Sequence, residues 1–107
     1  DTSQTDRLRR EQALALAPDV EAYYMDLSHF LTTRFPERGD EAREVLEAGV
    51  TALGQKQTFM IALAEWYVAH GDCDRAIAHY KVVATINPAV ADDVNTKIAA
   101  ARTACAE

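Results

Sequence analysis

The sequence predicts an all-α fold, an antiparallel array of about six helices joined by short turns. Three observations predict it. Twenty of the 107 residues are alanine while glycine (4) and proline (3) are scarce, a balance that favours helices because Ala loses least on entering one and Gly and Pro lose most. The turn formers are gathered at Pro18, at Pro36 to Asp40 (PERGD), at Gly54, at Gly71 with Asp72, and at Asn87 with Pro88. Between these marks apolar residues recur three and four apart over roughly 12 to 18 residues, the spacing of a half-buried helix.

The first helix is expected over about Gln4 to Ala17, with Leu8, Ala13, Leu14 and Leu16 as its apolar residues, stopped by Pro18. The second, Asp19 to Phe35, puts Tyr23, Tyr24, Leu27, Phe30, Leu31 and Phe35 on one broad face. The third, Glu41 to Leu53, uses Val45, Leu46, Gly49, Val50 and Leu53, with Gly54 placed to end it in a left-handed cap. The fourth, Gln57 to His70, uses Met60, Leu63, Ala64, Trp66, Tyr67 and Val68. Trp66 reads as a core aromatic rather than an exposed anchor. The fifth, Asp74 to Ile86, has Asp72 as its N-cap and offers Ala76, Ile77, Tyr80, Val83 and Ala84. The last, Ala89 to Ala106, is Ala-rich with Val90, Val94, Ile98 and Ala101. Connections this short force neighbouring helices to run antiparallel.

Charge and hydropathy exclude several functions. With 11 Lys and Arg against 17 Asp and Glu the net charge is -6, the wrong sign for tracking phosphates, so neither nucleic acid nor an acidic membrane surface is expected as a partner. The longest uncharged run, Val82 to Ala91, has ten residues and contains Pro88, too short to span a membrane. The chain opens without a starting Met or a signal-like segment, and reads as a mature protein or an excised piece.

Cys73 opens the fifth helix and Cys105 closes the sixth, 15 residues before and 17 after Pro88. In an antiparallel hairpin turning at Pro88 they reach the same height. Helices about 8 to 10 Å apart bring inward-pointing cysteines to the Cα separation that a disulfide favours. The spacing therefore predicts a Cys73 to Cys105 staple and, with it, a location outside the cytoplasm, periplasmic or secreted. Two buried thiols in a cytosolic protein are the plainer alternative. A zinc site would have to use His70, Cys73, His79 and Cys105, a permissible tetrahedral set, but His79 lies six residues beyond Cys73 and points away from its face, so no metal is expected. Catalysis is not expected either. Asp72 and Asp74 beside Cys73 would raise its thiol pKa rather than activate it. Asp92 and Asp93 read as a solvated helix start with a favourable dipole interaction. No serine motif, phosphate loop or HExxH is present, and no cofactor is implied.

The helices repeat in pairs. Placing Ala76 on Ala42, a shift of 34, carries Tyr80 onto Leu46, Val83 onto Gly49, Ala84 onto Val50 and Pro88 onto Gly54. Placing Leu63 on Leu27, a shift of 36, carries Met60 onto Tyr24, Ala64 onto Ser28 and Tyr67 onto Leu31. The two extra residues fall in the longer PERGD turn. Met60, Leu63, Ala64, Tyr67, Ala76, Tyr80 and Pro88 match the pattern W-x2-L-G-x2-Y, A-x3-F and P, and on these residues the segment Met60 to Pro88 resembles a tetratricopeptide repeat. Met60 stands in for the aromatic, Ala64 for the Gly, and Val83 where a smaller residue is usual. Glu21 to Gly54 looks like a degenerate copy. Arg9 to Pro18 (RREQALALAP) resembles the end of an earlier second helix. The resemblance implies one domain over 1–107: a half repeat or N-terminal cap at 4–18, a degenerate repeat at 19–54, a clear repeat at 55–88 and a capping helix at 89–106, together forming an antiparallel helix-hairpin solenoid, or a fragment of a longer array.

In tetratricopeptide domains the first helices of the pairs line a concave groove. The same phase implies Ala22, Met25, His29, Thr32 and Thr33 there from one repeat, Thr58, Ile61, Glu65, Val68 and Ala69 from the next, and Asn95, Ala99 and Arg102 from the last helix. Chaperone-binding members clamp a terminal carboxylate with Lys, Arg and Asn; only Asn95 and Arg102 could do so here, so that role is not expected. The resemblance implies a non-catalytic module that binds a protein or peptide segment, or docks a neighbouring domain, for example as a bacterial envelope scaffold. The alternatives are a regulatory or substrate-positioning appendage of a larger enzyme, and a homo-oligomerisation module.

Overall fold

The structure is a computed structural model and describes residues 2–106, with the backbone alone at positions 3 and 106. It is all-helical: α1 (Thr2–Leu16), α2 (Glu21–Arg34), α3 (Gly39–Leu53), α4 (Gln57–Ala69), α5 (Cys73–Ile86) and α6 (Ala91–Ala106), with 3-10 turns at Pro36–Arg38 and Pro88–Val90. The helices fall into two compact units divided after Gly54. The first holds α1 to α3 and the second α4 to α6.

The helix ends follow local chemistry. Asp72 caps α5 as expected, its Oδ1 accepting the Arg75 N–H at 3.2 Å. Gly71, at φ +78°, closes α4 in a Schellman arrangement, with Asp72 N–H donating to Tyr67 O at 2.9 Å and Gly71 N–H to Val68 O at 3.1 Å. Gly54 ends α3 at φ +92°, but its ψ of -177° lies outside the left-handed helical cap expected there. Two boundaries also move. Gly39 and Asp40 belong to α3 rather than to the PERGD turn, because the 3-10 turn after Pro36 already bends the chain into helical geometry. The segment Pro88–Val90 is likewise a 3-10 turn, closed by Asn87 Oδ1 accepting the Ala89 N–H at 3.3 Å, and α6 begins only at Ala91.

The core of the first unit is Leu27, Phe30, Leu31, Phe35 and Ala42, with Leu14 and Val45 partly buried against it. Large side chains of this kind contribute about 1.5–3 kcal/mol each when buried. Tyr24 anchors the turn into α2 by donating its hydroxyl to Pro18 O at 2.6 Å, whereas Tyr23 stays partly in solvent. Of the four apolar residues expected on α1, Ala13 and Leu14 are half-buried, whereas Leu8 is 56% and Leu16 87% exposed. Leu14 and Leu16, two residues apart, lie on opposite sides of a helix. The half-buried residues of α1 are Asp6, Arg7, Arg10, Glu11, Ala13 and Leu14, so two arginines share the packed face.

In the second unit α4 and α5 form a hairpin over Phe59, Met60, Leu63, Ala64 and Tyr67 from one helix and Ala76, Tyr80 and Val83 from the other, all buried. The small Ala64 and Ala76, both 0% exposed, let the two helices approach closely. Asn87 Nδ2 donates to Gln57 Oε1 at 3.2 Å and ties the end of α5 to the start of α4. Helix α6 packs on α5 and touches α4, burying Val94, Ile98 and Ala101 along one stripe.

Candidate functional site

The chemistry-bearing side chains of the second unit collect around the turn from α4 to α5. Cys73, at the first residue of α5, and Cys105, in the last turn of α6, stand at disulfide distance with Cα atoms 6.1 Å apart, as the hairpin geometry required. Both are half-buried. A shallow cavity of about 330 Å³ beside them is lined by His70, Gly71, Asp72, Cys73 and Asp74.

Little in this turn is free to react. Asp72 is committed to its cap and to Arg75, whose Nη1 lies 3.0 Å from Oδ2. The Arg75 guanidinium also sits 6.0 Å from the Tyr67 ring centroid. The His70 ring stacks on Trp66 with centroids 3.7 Å apart and planes within 13°, and its Nδ1 lies 2.8 Å from Trp66 O. His79 places Nδ1 2.7 Å from Arg75 O. A carbonyl can only accept, so each neutral ring carries its proton on Nδ1 and leaves Nε2 as an acceptor. Trp66 is thus a half-buried ring shielded by His70, and not the core aromatic expected. Its place in the core is taken by Phe59, which is 0% exposed. Among the described residues no three His, Cys, Asp or Glu are arranged to hold a metal ion.

The residues assigned to a groove divide between the two units. On α2, Ala22, His29, Thr32 and Thr33 are exposed and Met25 is half-buried; Thr32 donates its hydroxyl to Ser28 O within the helix at 3.0 Å. On α4, Thr58, Glu65 and Ala69 are exposed while Ile61 and Val68 are half-buried. Asn95, Ala99 and Arg102 are exposed on α6. Each set therefore presents small or apolar side chains with few charges.

Burial, and then the Glu65 carboxylate, push the Tyr80 phenol above its ordinary range. The fold favours the neutral phenol, so the associated stability is fully present below the unfolded value of about 10 and is lost as pH rises from there through the folded value. Unfolding measured across alkaline pH should show a loss of stability above about pH 10 that Tyr80→Phe reduces. An unchanged alkaline profile in that variant would contradict this assignment.

No protein-family model, curated protein or solved structure gives a significant match to the chain. Among the described residues no helix is long and apolar enough to cross a membrane.

Proposed function

We propose that the chain is a tetratricopeptide-like, non-catalytic interaction module that binds a protein or peptide segment along the first helices of its pairs. One observation carries this reading. Of the nine pairs that the repeat phase equates, seven are buried in both hairpins, Tyr24 with Met60, Leu27 with Leu63, Ser28 with Ala64, Leu31 with Tyr67, Ala42 with Ala76, Leu46 with Tyr80 and Gly49 with Val83, while Val50 and Ala84 are half-buried and Gly54 and Pro88 exposed. Two sequences identical at only two of these seven places, Leu27 with Leu63 and Ala42 with Ala76, still bury the same ones, as a repeated packing unit does. The cysteine pair supports a working location outside the cytoplasm, where a scaffold of envelope assembly would act.

The test begins with peptides selected against the full chain. Their binding is then titrated against His29→Ala and Ile61→Ala, with Glu44→Ala and Lys81→Ala on the second helices as controls. The expected result is a loss of about tenfold for the first pair and no change for the controls. Peptides that ignore His29 and Ile61 but depend on Glu44 or Lys81 would overturn the reading. Mass analysis of protein from its natural host, without reductant, checks the location; two free thiols there would remove its support.

A further inference from the structure

The two terminal helices are fastened by different chemistry. Helix α6 is held by buried Val94, Ile98 and Ala101 and by the cysteine pair, whereas none of the core residues of the first unit comes from α1. What seats α1 is a pair of arginines. Arg10 places its guanidinium carbon 4.3 Å from the Phe30 ring centroid and its Nε 3.1 Å from Asp26 Oδ2. Arg7 places its guanidinium 5.5 Å from the Phe35 centroid and its Nη1 3.2 Å from Glu41 Oε2. Each arginine thus enters a socket made of one phenylalanine ring and one carboxylate, the combination that attracts a planar cation from below and from the side.

The sockets have a fixed spacing. Phe30 and Phe35 pack edge to face with centroids 5.9 Å apart. Arginines three residues apart on a helix rise about 4.5 Å along its axis and share a face. Leu14, one turn beyond Arg10, packs against the Leu27 to Ala42 core. The surface therefore recognises Arg-x-x-Arg-x-x-x-Leu in helical form.

Helix α1 fills the sockets imperfectly. Glu11 of the same helix takes Arg7 Nε at 3.4 Å, and Arg10 Nη1 donates back to Asp6 O at 3.3 Å. The Arg7 guanidinium is held in its charged form first by its hydrogen bond to Glu41, and with Arg7 Nη1, Arg10 Nε and Glu41 Oε2 buried salt screens the sockets only in part. A basic helix with no carboxylate at the Glu11 position would leave Arg7 Nε to its socket, and the net charge of -6 favours its approach.

We propose that the face of α2 and α3 bearing Asp26, Phe30, Phe35 and Glu41 is a docking site for a partner protein's Arg-x-x-Arg-x-x-x-Leu helix, with α1 as the internal occupant that the partner displaces. This site lies within the first unit and does not depend on the groove reading.

The probe is a fluorescent synthetic helix with the sequence of residues 2–17, carrying Glu11→Ala, titrated by anisotropy into the full chain. Binding should tighten about tenfold when the chain carries Arg7→Ala with Arg10→Ala, because the tethered competitor is weakened. Adding Asp26→Asn and Glu41→Gln to that chain should weaken it again by about tenfold. With saturating probe, amide exchange in the unmodified chain should speed up in α1 while α2 and α3 stay protected. Absence of binding to the Arg7→Ala, Arg10→Ala chain overturns the proposal, as does binding indifferent to Asp26 and Glu41. Joint loss of protection in α1, α2 and α3 on removing the arginines also overturns it, since α1 would then be inseparable from the unit. A concentration-dependent dimer of the unmodified chain that those two substitutions abolish would assign the sockets to a second copy and overturn it too.

Discussion

Phe59→Ala should destabilise the second unit by about 3–5 kcal/mol, the range for truncating a fully buried phenylalanine. Phe59 is 0% exposed and is the largest of the side chains that are fully buried. It lies one helical turn before Leu63, itself 1% exposed, so the space it leaves is walled by side chains already packed on their other sides and can collapse only partly. Natural domains are stable by about 5–15 kcal/mol, so the variant should stand close to its unfolding limit at room temperature. The same position in the first hairpin is Tyr23, 38% exposed, and Tyr23→Ala should cost less than about 1 kcal/mol. Trp66 is the one tryptophan of the chain and sits on α4, which makes its fluorescence a local probe of the second unit during urea unfolding. A cost for Phe59→Ala no larger than that for Tyr23→Ala would show that the α4 core is not packed as described.

The contrast between Phe59 and Tyr23 also shows where sequence reasoning reached its limit. The repeat phase, drawn from nine pairs of positions, picked out seven that are buried in both hairpins, because small and large side chains at fixed offsets follow from how two helices pack. It had no means of ranking aromatics lying between those positions. Phe59, Trp66 and Tyr23 all fall beside the repeat positions, and whether each is buried depends on what the next helix offers opposite it. Trp66 is instead covered by His70, the exposed residue that ends its own helix four places on. Helix α1 failed for a different reason. Hydropathy ranks arginine as outward-facing, yet Arg7 and Arg10 hold the seated edge of α1 because each finds a ring and a carboxylate on α2 or α3. Such a socket is assembled from residues up to 34 positions apart, and no local pattern announces it. The cysteines were legible because two helix lengths and one proline fix their heights without reference to any other side chain.

Opening the Cys73 to Cys105 link, by reductant or by serine at both positions, should cost the second unit about 3–4 kcal/mol from the loop-closure entropy returned to the unfolded chain. The sequence separation of 32 residues spans α5, the Pro88 turn and α6, so the link constrains a whole hairpin and not a single turn. Its effect should be greatest at the end of α6. Val94, Ile98 and Ala101 are buried along that helix, and beyond Ala101 the residues Arg102, Thr103 and Ala104 are exposed, so in the last turn Cys105 is the main attachment. Amide exchange should therefore quicken first over residues 102–105, then along α6, with α4 and α5 following only as the unit unfolds. Serine is the informative replacement at position 73, because Sγ lies 3.0 Å from the Ala101 carbonyl oxygen and a hydroxyl there, unlike the joined sulfur, has a proton to donate to it. Reductant should then shift the unfolding midpoint of the native chain but leave the doubly substituted chain unmoved. If reduced and oxidised chains unfold within about 0.5 kcal/mol of each other, the link is not a structural one. A loss of the expected size would take a large share of a small unit's stability, because a helix fastened in this way is secure only where its thiols stay joined.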